Sequence, residues 1–157
     1  IMPGIDSGKI TLLKTFTPLQ PRSSAASTSL RSILTMVEYS GKKIVGIFGC
    51  PGGKALARRQ ELPEVAGKYA AKIYVTEEDY GEEDLDAINA EIAANVKAQG
   101  CAVEIISDRE ECIKTAIETA EPGTVILLTG KGRETRQKRG TRYEQVLSDV
   151  ELVKKYL

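Results

Sequence analysis

Apolar and polar positions follow a regular pattern from residue 42 onward. Short runs rich in β-branched residues are typical of buried strands, and such runs lie at 43–48, 72–76, 102–106 and 124–129. Longer stretches with apolar side chains at helical spacing separate them, as at Leu85, Ile88, Ile92 and Val96. Strands that alternate with helices form βαβ units. The pattern therefore predicts an α/β fold, with a mostly parallel sheet and helices on both faces.

Two Ser-x-x-Glu pairs predict where helices begin. Ser107 with Glu110 and Ser148 with Glu151 have the spacing of a capping box, in which each side chain binds a backbone N–H of the other residue. Gly100 is predicted to end the helix that begins near residue 83, because glycine readily adopts the conformation that follows a helix.

Composition narrows the possible functions. The 157 residues carry 22 basic and 22 acidic side chains, so no net charge favours nucleic acid or a membrane surface, and we predict neither partner. Histidine is absent and no Cys-x-x-Cys pair exists. A Ser-His-Asp triad is thereby excluded, and a zinc site is not expected. We predict no metal site and no catalytic residue in this chain. Its cysteines are expected to be free thiols in a reducing cytoplasm.

Three loops follow predicted strands, at residues 49–59, 77–84 and 130–142. In parallel sheets, ligands bind beyond the carboxyl ends of the strands, so these loops are the candidate site. The first loop combines glycines with Lys54 and Arg58–Arg59. It either approaches an anionic group or is an ordinary turn before a solvated helix.

The second loop is acidic, with six acids among residues 76–84. Acids at a helix N-terminus interact favourably with the helix dipole, which accounts for Glu82 to Asp84. The dipole accounts less well for the acids directly after the strand, Glu77, Glu78 and Asp79. These could receive a cation or an amine.

The third loop, "TGKGRETRQKRG", is basic and rich in glycine. Gly130 and Gly132 allow close approach of the backbone to a ligand. Glu134 is a single acid among several cations, so it should stay ionised and could bind an ammonium group. The alternative is a flexible basic loop without a ligand.

Taken together, "IVGIFGCPGGK", "YVTEED", "VILLTGKGRETRQ" and "SDVELVKKYL" resemble the C-terminal domain of the Mur ligases. The resemblance covers residues 42–157 and is closest to members that add the third residue of the peptidoglycan stem peptide. It implies a Rossmann-like three-layer sandwich that binds the incoming amino acid. Residues 1–41 are interpreted as a divergent N-terminal segment and linker.

The resemblance also implies an activity for the complete enzyme, which is ATP-dependent amide ligation. The carboxylate of a UDP-linked muramoyl dipeptide is phosphorylated, and the amine of the amino acid attacks it. ATP and Mg²⁺ are then cofactors of the complete enzyme, bound by domains that this chain lacks. We expect the chain alone to bind neither cofactor and to be inactive. The alternative is a non-catalytic α/β module that binds a small molecule or a partner.

Individual residues carry over by position. Arg59 falls on the arginine that holds the carboxylate of the amino acid, while Gly130 and Glu134 fall on the glycine and glutamate of the family's G-K-G-H-E element. Members that use meso-diaminopimelate carry D-N-P-R after the second strand, and the arginine of that motif is Gly81 here. With Glu78 and Asp79 beside it, this position predicts lysine or another diamino acid as the substrate.

The segment before residue 42 departs from the family. "KTFTPL" at 14–19 keeps Thr17 to Leu19 of the motif D-Y-A-H-T-P-L but lacks the residues that face ATP. "QPRSSAASTS" at 20–29 has no family counterpart. Divergence, a frame error and a gene fragment each explain these departures.

Overall fold

A five-stranded parallel sheet forms the centre of the computed structural model, which describes the backbone of residues 10–14 and all of residues 41–157. The strands are β1 (Ile10–Lys14), β2 (Ile44–Phe48), β3 (Lys72–Val75), β4 (Ala102–Ile105) and β5 (Thr124–Leu128). Their order is β1-β5-β2-β3-β4. The predicted α/β fold is confirmed, and β2 to β5 match the four predicted strands.

β1 was not predicted from the hydrophobic pattern. It lies within residues 1–41 and pairs with β5, from Ile10 beside Thr124 to Lys14 beside Leu128. The domain boundary at residue 42 stays a prediction. The interpretation of residues 15–40, which include most of "KTFTPL" and all of "QPRSSAASTS", lies outside the described residues.

Helices cover both faces of the sheet. They are α1 (Arg58–Ala66), α2 (Leu85–Ala98), α3 (Arg109–Thr119) and α4 (Asp149–Tyr156). α1 and α2 pack on one face and α3 and α4 on the other. Alternate residues of β2 supply the two cores: Ile44 and Phe48 face the first pair of helices, whereas Val45 and Ile47 face the second. β2 is therefore apolar and buried throughout, as expected of a central strand covered on both sides.

The predicted helix ends are partly confirmed. Ser148 and Glu151 form the expected capping box of α4, and Gly100 follows the end of α2 in a left-handed conformation. The prediction for Ser107 is wrong. Asp108 caps α3 instead and accepts a hydrogen bond from the N–H of Glu111 at 2.8 Å. The backbone of Ser107 is held to the end of β3, because its carbonyl accepts hydrogen bonds from the N–H of Glu77 and the hydroxyl of Thr76.

Much of the predicted loop 130–142 is part of a β-hairpin. β6 (Arg136–Arg139) pairs antiparallel with β7 (Arg142–Gln145). Gln137 on the inner side is 2% exposed, and its Nε2 donates to the carbonyl of Glu78 at 2.7 Å. The hairpin thus lies against the carboxyl edge of the sheet, beside the end of β3.

The strand order creates a switch point between β2 and β5. The chain leaves β2 toward α1 on one face and leaves β5 toward the hairpin and α4 on the other. Neighbouring loops that diverge in this way open a crevice at the carboxyl edge, where α/β proteins bind ligands. The loops after β2, β3 and β5 meet at this edge.

A buried ion pair braces the same edge. Arg109 donates from Nε and Nη2 to the two carboxylate oxygens of Asp149, at 2.7 and 2.9 Å. Its remaining N–H groups reach the carbonyl of Glu77 at 3.3 Å and that of Thr129 at 3.0 Å. The first residues of α3 and α4 are thereby tied to the ends of β3 and β5.

Gly49 is a position where any side chain would collide with this edge. A Cβ there would lie 2.1 Å from the carbonyl oxygen of Thr76. We expect Gly49→Ala to lower the free energy of unfolding by about 1–3 kcal/mol, because the backbone must shift to relieve the overlap. Urea unfolding measures this change. Gly46→Ala in β2 is the control, since its Cβ would meet only side-chain atoms at ordinary distances, Ile73 at 3.4 Å and Phe48 at 3.9 Å. Equal losses in the two variants would contradict the steric explanation.

Replacing Arg109 tests whether the buried Arg109–Asp149 ion pair stabilises the fold. Arg109→Met leaves the buried carboxylate of Asp149 without its cation, and breaking a buried pair in this way costs about 3–5 kcal/mol of folding free energy. Thermal and urea unfolding both report the loss. Lys155→Met is the matched control, because the Lys155–Glu110 pair is about half exposed and should contribute far less. A similar, small loss in both variants would show that Arg109 is not a brace.

Candidate functional site

Lys131 joins two of the predicted binding residues. Its Nζ donates hydrogen bonds to Asp79 Oδ1 and Glu134 Oε2, each at 2.8 Å, and its side chain is 4% exposed. Burial disfavours the charged ammonium, but the two carboxylates outweigh burial and raise the pKa of Lys131. The second and third loops therefore converge on an ammonium group that belongs to the chain itself.

Glu78 and Gly130 lie against one another at the centre of the edge. Oε2 of Glu78 is buried and has no hydrogen-bond partner within the described part of the chain, and Oε1 lies 3.8 Å from Nη1 of Arg58, beyond hydrogen-bond distance. Burial raises the pKa of this carboxyl group despite the nearby cations. Gly130 has a φ of +109°, and a Cβ there would lie 3.1 Å from Oε2. Glycine at 130 thus permits both the turn and the close approach of Glu78.

The terminal nitrogens of Arg59, at the start of α1, are fully engaged, whereas its Nε is buried without a hydrogen-bond partner among the described residues. Its Nη1 and Nη2 donate to the two oxygens of Glu83 at 2.8 Å each, Nη1 also donates to Glu91 at 3.1 Å, and Nη2 to the carbonyl of Pro51 at 3.4 Å. All four terminal N–H groups of a guanidinium are used in this arrangement. These contacts raise the pKa of Arg59. A ligand carboxylate could bind its terminal nitrogens only by displacing one of these partners.

The other acids of the second loop are mostly neutralised by the chain's own cations. Glu77 is 4% exposed and accepts two hydrogen bonds from Arg139, at 2.6 and 3.0 Å. Asp79 pairs with Lys131, and Glu83 pairs with Arg59. The loop is therefore not an open anionic surface. Glu78 differs from these three, because its carboxylate is largely buried and accepts no hydrogen bond from the described residues.

A cleft of about 360 Å³ lies between the hairpin and the first turns of α3 and α4. Lys131, Glu134, Gln137 and Arg139 line it together with residues from both helices. Of the five predicted binding residues, Glu134 lines this cleft. Arg59, Glu78, Asp79 and Gly130 do not. In the structure, the five predicted residues thus form three groups. Arg59 pairs with Glu83, Glu78 lies against Gly130, and Asp79 is joined to Glu134 through Lys131.

The described residues do not fit a Mg²⁺ ion. Residues 41–157 contain no group of three or more Cys, Asp or Glu side chains placed to hold a metal. The carboxylates that converge at the edge bind lysine and arginine side chains, whereas Mg²⁺ needs ionised oxygen ligands that are free to coordinate it. Within the same residues, no helix is long and apolar enough to cross a membrane. The cysteines are free and buried.

Several residues of this edge were not predicted from the sequence. Arg109, Gln137, Arg139 and Asp149 lie far apart along the chain, and their partners are set by tertiary packing. The one signal that the sequence offered for this edge was the apolar, strand-like run that precedes each of the three loops. Arg58 stood out only as one of several cations in the first loop.

The Arg59–Glu83 pair predicts an acid-dependent stability. Hydrogen bonds from Arg59 and from the backbone N–H of Gly53 lower the pKa of Glu83 from 4.5 to about 2. Because the folded-state pKa is depressed, this stabilisation is present above pH 4.5 and is lost as the pH falls toward 2. Glu83→Gln should remove that part of the pH dependence, as measured by urea unfolding between pH 7 and pH 2.

The control for this experiment is Glu118→Gln, at an exposed position of α3. It should leave the pH profile of the wild-type protein unchanged. An identical acid-dependent loss in the wild-type protein and in Glu83→Gln would contradict the assignment.

Comparisons with known proteins agree with this architecture. A family model described as "Mur ligase, glutamate ligase domain" matches residues 24–132. The UDP-N-acetylmuramyl-tripeptide synthetase of Lactobacillus acidophilus is 39% identical over 101 residues, which are 64% of this chain and 19% of that protein. The UDP-N-acetylmuramoyl-L-alanyl-D-glutamate--2,6-diaminopimelate ligase of Caldanaerobacter subterraneus is 35% identical over 109 residues, which are 69% of this chain and 23% of that protein.

A solved structure named as a UDP-N-acetylmuramoyl-L-alanyl-D-glutamate--2,6-diaminopimelate ligase shares the fold. It matches with a TM-score of 0.80 at 22% identity, over 98% of this chain and 30% of that chain. The chain spans about a fifth of the length of the curated relatives. Because the family model covers more than half of its residues, the chain belongs to the Mur ligase family.

Proposed function

We propose that this chain is the amino-acid-binding C-terminal domain of a cytoplasmic, ATP-dependent ligase of peptidoglycan synthesis. The ligase adds the third amino acid, lysine or another diamino acid, to a UDP-N-acetylmuramoyl-dipeptide. Family membership supports ligation, and the names of the two relatives support a tripeptide product. The first name gives no amino acid and the second gives 2,6-diaminopimelate, so the choice of lysine depends on the chemistry of the site.

The observation that carries the proposal is the unpartnered carboxylate of Glu78. Its Oε2 is buried at the carboxyl edge and accepts no hydrogen bond from residues 41–157. A buried polar atom left without a partner costs roughly 1–3 kcal/mol, and native structures contain few of them. An ammonium group of an amino acid supplies both the missing donors and the compensating charge.

The remaining site residues define the surroundings of that ammonium group. Gly130 brings the backbone of the third loop against Glu78. Asp79 and Glu134 each bind the ammonium of Lys131 through one carboxylate oxygen. Arg59 can bind a carboxylate at its terminal nitrogens if Glu83 exchanges for the ligand. Gly81 contributes no cation, which disfavours a distal carboxylate.

ATP, Mg²⁺ and the UDP-linked peptide belong, in this proposal, to the remainder of the ligase. Mg²⁺ with ATP supplies the phosphorylation that activates the peptide carboxylate. The residues of this chain orient the amino acid so that its amine meets the activated carboxylate. Positioning of this kind is a large part of the rate acceleration in group transfer.

Amino-acid binding by the 157-residue chain tests the proposal. In a titration of the ¹⁵N-labelled chain monitored by NMR, L-lysine should shift the amide signals of Glu78, Asp79, Gly130 and Glu134 in a saturable way. Glu78→Gln should weaken binding by roughly tenfold or more, because it removes a charge-assisted hydrogen bond. Glu118→Gln, far from the edge and exposed, is the matched control and should leave the affinity unchanged.

Two outcomes would contradict parts of the proposal. If no amino acid gives a saturable shift, the chain is not an amino-acid-binding domain. If meso-diaminopimelate binds the wild-type chain more tightly than lysine, the chain prefers a distal carboxylate, and the choice of lysine is wrong.

A further inference from the structure

The stretch that contains the β6–β7 hairpin carries positive charge that its own acids do not neutralise. Residues 130–145 contain two acids, and both are bound to other cations: Glu134 to Lys131 and Glu144 to Arg139. Within residues 41–157, four cations of this stretch form no ion pair: Arg133, Arg136, Lys138 and Arg142. Because the formal net charge of the whole chain is zero, this excess is a local property of the hairpin.

Two of these cations share one face of the hairpin with an exposed tyrosine. Lys138 lies opposite Tyr143 across the two strands, and Arg136 is two residues from Lys138 and so on the same side. The guanidinium of Arg136 lies 5.4 Å and Nζ of Lys138 lies 5.9 Å from the centre of the Tyr143 ring. Tyr143 is 59% exposed, whereas Gln137 on the opposite face is 2% exposed. We call the group of Arg136, Lys138 and Tyr143 the outer face.

The backbone beneath the outer face is fixed by the second loop. The N–H of Lys138 donates to Asp79 Oδ1 at 2.9 Å, and the N–H of Gly140 donates to the carbonyl of Gly81 at 2.7 Å. The ring of Tyr143 is in turn attractive to both cations beside it. The outer face is therefore preorganised, so a partner that binds there loses little conformational freedom of the hairpin.

The composition of the outer face suits a protein partner with carboxylates. Tyrosine and arginine are enriched at protein interfaces and often contribute most of the binding energy. Arg136 and Lys138 repel one another because both lie beside one ring, and a carboxylate placed between them would offset that repulsion. Tyr143 offers an exposed aromatic surface next to the same two charges.

Acids beside the hairpin limit the size of an anionic partner. Gly81 forms a bridge with Arg139, and the exposed side chains of Glu82, Asp84 and Asp86 follow directly in the chain. A nucleic acid or an anionic membrane surface extends well beyond two strands of four residues each and would meet these carboxylates. A short acidic peptide segment needs to cover only the outer face.

We propose that the outer face of the β6–β7 hairpin is an interaction surface for a short acidic segment of a partner protein. Carboxylates of that segment bind Arg136 and Lys138, and the segment packs on the ring of Tyr143. The outer face contains none of the residues assigned to amino-acid binding. The inference is therefore independent of the proposed function.

Capped hexa-L-glutamate is the probe for this surface. In a titration of the ¹⁵N-labelled 157-residue chain at low salt, it should shift the amide signals of residues 136–143 in a saturable way. Capped hexa-L-glutamine, which has the same length and no charge, should not. The affinity for hexaglutamate should fall several-fold between about 20 and about 200 mM NaCl, because salt screens exposed charges.

Substitutions on the outer face separate it from a general attraction of cations for acids. Arg136→Gln and Lys138→Gln should each weaken hexaglutamate by roughly threefold, and the double variant by roughly tenfold. Tyr143→Ala should also weaken it, by roughly threefold. Lys68→Gln is the matched control and should leave the affinity unchanged, because Lys68 is an exposed cation that lies between α1 and the start of β3, at the opposite edge of the sheet.

Four results would overturn the inference. The first is the absence of a saturable shift with hexaglutamate in the wild-type chain, and the second is a shift confined to residues outside the hairpin. The third is a loss in Lys68→Gln as large as that in Arg136→Gln and Lys138→Gln. The fourth is tighter binding of hexathymidylate or of phosphatidylglycerol vesicles to the hairpin, which would replace the acidic protein segment with a nucleic acid or a membrane.

Discussion

The guanidinium of Arg109, the first residue of α3, lies where the ends of β3 and β5 meet the start of α4, and it binds all three. Two hydrogen bonds go to Asp149, and the others go to the carbonyls of Glu77 and Thr129. Asp149 also accepts from the N–H of Gly132 at 2.8 Å. Removing two charges from water is costly, and this set of hydrogen bonds offsets that cost. Two of the three loops of the candidate site, those after β3 and β5, start from carbonyls that Arg109 holds in place.

The charges at the edge follow from this brace. Once the loops after β3 and β5 are fixed, Lys131 lies between Asp79 and Glu134, and the hairpin brings Arg139 to Glu77. Three of the six acids of this loop are thereby paired with cations of the chain itself, at Glu77, Asp79 and Glu83. Glu78 lies beside Arg58 at 3.8 Å.

Membership of the Mur ligase family and the position of the site agree with one another. The chain matches the glutamate ligase domain model over residues 24–132, and this range includes the loops after β2, β3 and β5. The hairpin and α4 follow the matched range, yet they supply Gln137, Arg139 and Asp149, which hold the edge together. Residues beyond the family match thus stabilise the loops within it.

The sequence by itself determined the features that depend on neighbouring residues. The apolar runs predicted β2 to β5, and Ser148 with Glu151 predicted the start of α4, because strand burial and helix capping act over a few residues. Only the tertiary structure decided which charges are paired. Arg58 and Arg59 are adjacent in the chain, but Arg59 points to Glu83 and Glu91 while Arg58 lies beside Glu78. The pairing of β1 with β5 and the cap at Asp108 were also settled by contacts between distant segments, because the pattern of residues records burial and spacing but not the partner across the fold.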